Sequence, residues 1–226
     1  MIYEHEEENF MEYGAAGLKW APFATENPEP AGKLPSYGPA VSVGSLNKVT
    51  DSPAFNEAKG YGDNKLKVYV NKFKESPLNV EVTEILREVM SAISGAQIEE
   101  GEHKNMRFRD SDKPPYCGLG FYINAILDDT RDICMGVFYP KVKAMLQGTE
   151  YNTNGENITL STGKLQFTAS ACNSGDWRFY SDYFATEAKA QAWVDGMFTG
   201  QSTDVGKEET AQPAPARSKA AGAEAV

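Results

Sequence analysis

The sequence predicts a mainly-β fold of the α+β kind, with one flanking helix and a shorter helix near the C-terminus. Two observations carry this. The stretch from Pro114 to Leu146 reads as a pair of long apolar strands around a polar turn, and several further segments alternate apolar and polar residues at the period of a strand. Against them, one segment places its apolar residues at helical spacing between Ser76 and Gly95.

In chain order, residues 1–12 read as an acidic arm, since Glu4, Glu6, Glu7, Glu8 and Glu12 carry no Lys or Arg among them. Tyr13 to Phe23, YGAAGLKWAPF, begins the body. Residues 24–39 hold Pro28, Pro30, Pro35 and Pro39 with Gly32 and Gly38 and read as loop. Val41 and Val43 alternate, with Leu46 beyond, so 40–49 reads as a strand with Gly44 a candidate bulge. Residues 50–64 read as a mostly polar segment that Phe55 and Tyr61 interrupt. Leu66, Val68 and Val70 then alternate with Lys65, Lys67 and Tyr69 as far as Phe73: a strand with one wet face.

Val82, Ile85, Leu86, Val89, Met90 and Ile93 form one helical stripe, with Ser76 and Pro77 as an N-terminal start and Gly95 as a stop. Burying six such side chains is worth on the order of 10 kcal/mol gross. Met106 and Phe108 mark a possible short strand. The central pair is read as Tyr116–Leu127, a turn over Asp128, Asp129, Thr130, Arg131 and Asp132, and a second strand from Ile133 to about Val142. Ile158, Leu160, Leu165, Phe167 and Ala169 mark a strand broken near Gly163. Trp177 and Phe179, with Tyr183, mark another. Thr186 precedes a final helix, Glu187–Phe198, with Ala190, Trp193, Val194 and Met197 on one side. From Thr199 onward Ala, Pro and mixed charge leave little to bury, and 199–226 reads as a disordered tail.

The formal charge of −10 is concentrated at the N-terminus, leaving residues 14–198 only mildly acidic and without a basic stripe for gripping phosphates. No apolar run reaches membrane-spanning length and no signal peptide is read. Cys117, Cys134 and Cys172 are odd in number and fall in strands, which reads as buried free thiols. Catalysis finds no support. His5 lies in the acidic arm, and His103 beside Glu99, Glu100 and Glu102 lacks a second His or Cys at ligand spacing. Nothing places Cys117 beside a positive charge that would activate it. Gly118-Leu119-Gly120 lies inside a strand, where it cannot form a phosphate loop. Asp128, Asp129 and Asp132 do not have EF-hand spacing. No cofactor or metal is expected.

The segments PPYCGLGFYI, CMGVFYPKVK and the Thr159–Cys172 strand, in that order and spacing, resemble the major tail proteins of long, non-contractile-tailed bacteriophages, over roughly Tyr13 to Phe198. The entry run Gly-Leu-Lys-Trp-Ala-Pro is similar to the family's first strand. The resemblance implies a tail-tube β-sandwich or barrel with a flanking helix, assembled as stacked hexameric rings in the host cytoplasm and carried in the virion tail. Implied partners are the chain itself, the tape-measure, tail-terminator and tail-tip proteins, and double-stranded DNA in transit, with no membrane. It further implies that the segment with Phe55 and Tyr61, together with Lys59 and Asp63, reaches a neighbouring subunit. Lys65, Lys67, Tyr69, Asn124, Asp128 and Asp129 are the candidates for a channel-lining sheet. A tube of a contractile tail or secretion apparatus, or a stand-alone adhesin or carbohydrate-binding β-sandwich, are the competing readings.

Overall fold

In the computed structural model, which describes residues 10–101, 103–127, 131–145 and 163–200, the protein is mainly β, with a large antiparallel sheet and two helices. The strands are β1 (Phe10–Pro22), β2 (Val41–Ser42), β3 (Leu46–Asp51), β4 (Ala54–Gly62), β5 (Lys65–Val82), β6 (Gln97–Ile98), β7 (Met106–Arg107), β8 (Tyr116–Leu127), β9 (Arg131–Met145), β10 (Gly163–Ala169) and β11 (Phe179–Tyr180). The helices are α1 (Arg87–Ser94) and α2 (Glu187–Thr199).

The main sheet runs β2-β1-β8-β9-β10-β5-β3. Its two ends are successive pieces of one stretch, residues 41–51. β2 pairs with β1 (Lys19 opposite Ser42), and β3 pairs with β5 (Asp51 opposite Leu78). The sheet therefore curls round and closes on itself as a barrel. Gly44 stands at the break between the two pieces, with φ +146°, where a Cβ would collide with the Glu84 carbonyl. Inside lie Leu18, Val80, Val82, Leu119, Phe121, Tyr139, Val142 and Phe167. The alternation along each strand delivers these residues to one face.

The central pair forms as the sequence indicates. β8 spans Tyr116–Leu127, and β9 carries Val137 and Tyr139 inward while Cys134 and Phe138 point outward. α2 covers that outer face through Ala190, Trp193, Val194, Met197 and Phe198. Glycines make the floor on which it lies. A Cβ on Gly120 would come within 2.6 Å of Val194, and one on Gly136 would run into the Trp193 ring. The Gly118-Leu119-Gly120 run thus gives close approach of a helix to a strand.

The sequence-expected helix from Val82 is corrected. Leu78, Val80 and Val82 are all buried at period two as the wall half of β5, and Ser76 and Pro77 lie within that strand. Pro77 is tolerated because β3 ends at Asp51, opposite Leu78, so no β3 residue pairs with it. Only Arg87–Ser94 is helical, ended by Gly95 in the left-handed conformation. Val89 and Ile93 of α1 plug the barrel end where β5 finishes, while Leu86 stays exposed. The strand expected over 40–49 is two pieces around Gly44, and that around Trp177 shrinks to Phe179–Tyr180. β1 begins at Phe10, inside the stretch read as the acidic arm; Ile158, Leu160 and most of both terminal segments lie outside the described residues. All three cysteines are free and buried. Among the described residues no helix is long and apolar enough to cross a membrane.

Two measurements check this packing. Gly136→Val should push α2 off its floor and cost about 1–3 kcal/mol in urea unfolding. Burial holds the Cys117 thiol protonated up to about 12 against an ordinary 9.0, and it also raises the Tyr37 and Tyr139 hydroxyls. A pKa raised on folding adds stability below the unfolded value, and that stability is lost as pH climbs towards the folded value. Unfolding midpoints should therefore hold from pH 7 to about 9 and fall above it, less steeply in Cys117→Ala.

Candidate interaction arm and its root

Residues read as a polar segment and a separate strand form one projecting hairpin. Among the described residues β4 pairs only with the first half of β5, from Ala54 opposite Glu75 to Gly62 opposite Lys65. Asp63 and Asn64 make the two-residue turn, both with positive φ (52° and 59°), the conformation whose twist matches a tight hairpin. The polar segment read over 50–64 therefore holds the end of β3, β4 and the turn. The hairpin's signal was the Gly-Asp-Asn run before an alternating strand.

The arm is open to water on both sides. Ala58 stands opposite Val70, Gly60 opposite Val68 and Tyr61 opposite Leu66, with a register shift between Gly60 and Tyr61 that inserts Lys67 into β5. Successive residues of a strand point to opposite sides, so Val68 and Val70 share one side with Gly60 and Ala58, and Leu66 and Tyr61 share the other with Lys59 and Tyr69. These apolar side chains are exposed on both: Tyr61 is 70%, Val68 55% and Leu66 52% exposed. Lys59 pairs with Glu57 at 3.4 Å and lies 5.5 Å from the Tyr69 ring centre, and Lys67 pairs with Asp63 at 3.7 Å.

Of the residues singled out in the sequence, the structure brings Lys59, Tyr61, Asp63, Lys65, Lys67 and Tyr69 together on this arm. Phe55 lies at its root, against Phe73 (5.9 Å between ring centres, edge to face). Asn124 stands apart, on β8, where its side-chain amide donates to Glu187 of α2 at 2.8 Å; the Tyr122 hydroxyl donates to the same carboxylate at 3.0 Å. The barrel interior takes one face of the central pair and α2 the other, so Asn124 sits beneath a helix. Asp128 and Asp129 lie outside the described residues.

The root is a cluster that sequence reading missed. Phe73 stacks on Trp177 at 4.2 Å, and the Arg178 guanidinium lies 4.4 Å from Trp177 and 4.8 Å from Tyr180. Arg178 donates to Asp51 at 2.5 Å, as does the Tyr139 hydroxyl at 2.8 Å, while Ser76 donates to the other Asp51 oxygen. Asp51 thus ends β3, Ser76 begins the wall half of β5, and Tyr139 rises from the barrel core. No spacing rule could join residues 51, 73, 139 and 178, because tertiary folding alone makes them neighbours. Beside the cluster, Glu12, Lys48, Ile123 and Val137 help line a cleft of about 360 Å³ at the barrel end away from α1.

Among the described residues no group of three or more His, Cys, Asp or Glu could hold a metal ion. No protein-family model matches the chain, and no curated protein matches it.

Asp51→Ala should cost about 2–4 kcal/mol, because it leaves Arg178, Tyr139 and Ser76 without their shared acceptor. Asp51→Asn, which keeps a carbonyl oxygen there, should cost less. Paired urea titrations by tryptophan fluorescence measure both.

Proposed function

We propose that this chain is a self-assembling structural protein, the tail-tube subunit of a long, non-contractile bacteriophage tail. One observation carries the self-assembly: the projecting arm holds exposed apolar side chains, Tyr61, Leu66, Val68 and Val70, that the described residues of its own chain leave uncovered. A two-stranded hairpin is at best marginally stable alone in water, and exposed apolar surface of this kind marks sites of association. Its strand edges, unpaired among the described residues, are also templates for pairing with another chain. The choice of a tail tube among self-assembling proteins rests on the sequence resemblance, with which a mainly-β barrel flanked by a helix is compatible.

In such an assembly the exposed apolar side chains of the arm dock on a second copy. The arm and the surface receiving it are different patches, so the contact is heterologous and repeats into rings or an open filament. Lys59 and Lys67, each paired with a carboxylate of the arm, suit a channel through which double-stranded DNA slides, since unpaired lysines would hold phosphates by releasing counterions. Tape-measure, tail-terminator and tail-tip proteins are the partners this role entails, and the virion tail is its location.

The purified chain should form rings or tubes as concentration rises, seen by sedimentation and negative-stain microscopy. Leu66→Lys with Val68→Lys should abolish them while leaving a folded monomer with an unchanged circular dichroism spectrum. A wild-type chain monomeric at every concentration, with no rings or tubes, would reject this role.

A further inference from the structure

We infer that Trp177 is a positioning residue for the arm: it fixes the direction in which the hairpin leaves the barrel, so that its exposed apolar side chains are presented ready to dock. The role in docking rests on the self-assembly reading above. The clamp itself stands on the geometry alone.

Among the described residues β4 has no strand partner but β5, so backbone pairing there ties the arm to itself and leaves its swing against the barrel open. What crosses from arm to barrel is a file of stacked side chains. Phe55 meets Phe73 across the hairpin, Phe73 lies flat on Trp177 with 12° between the planes, and Trp177 is backed by the Arg178 guanidinium. Arg178 is held in turn by Asp51, the last residue of β3, and by the Tyr180 ring on its other side.

The segment that carries Trp177 is itself anchored. The Cys172 N–H donates to Asp176 at 2.9 Å, and the Asn173 N–H donates at 2.8 Å to Glu29, which also pairs with Lys141 of β9 at 2.8 Å. Trp177 is thus a fixed plate against which one ring of the arm rests. It is only half-buried and takes part in no strand ladder, so the barrel closes without it. Holding the arm in one orientation removes part of the ordering cost that docking would otherwise carry.

The test compares the full-length wild type with Trp177→Ala, Phe73→Ala and Trp177→Phe. Hydrogen exchange is read in the dilute protein, and the concentration for polymer onset by sedimentation. Trp177→Ala should raise exchange of amides across residues 55–73 about tenfold, a ring stack and a cation–π contact being lost. Protection of β8 and β9 should stay as in wild type, and onset should move about tenfold higher. Phe73→Ala should do the same from the other side, and Trp177→Phe, which keeps a ring to stack, should restore both. Unchanged arm exchange in Trp177→Ala overturns the inference, as does equal loss across β8 and β9, which would make Trp177 a general stability residue. A wild type that never polymerises rejects the tube subunit, while the exchange pattern still decides the clamp.

Discussion

The rest of the architecture depends on how residues 41–51 close the barrel. One short stretch pairs with β1 through its first residues and with β5 through its last, and the change of partner happens at Gly44. A side chain there would meet the Glu84 carbonyl, so only glycine lets the backbone come that close. Closure joins the two margins of the sheet and encloses one apolar interior, which α1 stoppers at one end. It also brings Asp51 to the place where β5 leaves the wall. The root cluster forms there because closure ends there.

Outside the barrel, two elements are treated in opposite ways. α2 is absorbed: glycines and alanines on β1, β8 and β9 make room for it, and Lys19 pairs with Asp195 at 2.5 Å on its flank. The hairpin of β4 and β5 is left standing, with Tyr61, Leu66 and Val68 open to water. The chain has aromatic and branched residues where burial would stabilise them, and the described residues do not supply the cover. That imbalance between a finished barrel and an unfinished arm is the physical case for association with further copies.

Much of the fold was legible where local pattern and tertiary environment agree. The central pair and α2 were, because their alternation and their 3.6-residue stripe coincide with the faces they bury. The helix before Gly95 was read too long for a definite reason. Val82 satisfies a helical stripe with Ile85 and Val89, yet also a strand pattern with Leu78 and Val80, and pairing with β10 and β3 decides for the strand. The hairpin was half legible. Leu66, Val68 and Val70 gave β5 away, whereas β4 was read only as part of a polar segment, since neither of its faces meets a core. The Asp51–Arg178 contact could not be read at all, since 127 residues of chain separate the partners.

β5 runs unbroken for 18 residues from the tip of the arm into the barrel wall, where β3 flanks it on one side and β10 on the other. Ladder bonds between antiparallel strands lie perpendicular to the chain. Tension applied along the arm therefore loads the wall bonds of both neighbours side by side, in shear, and they must give way together instead of unzipping singly. An element that reaches outward is in this way rooted in the stiffest direction the subunit offers, so traction on the tip is borne by the whole wall.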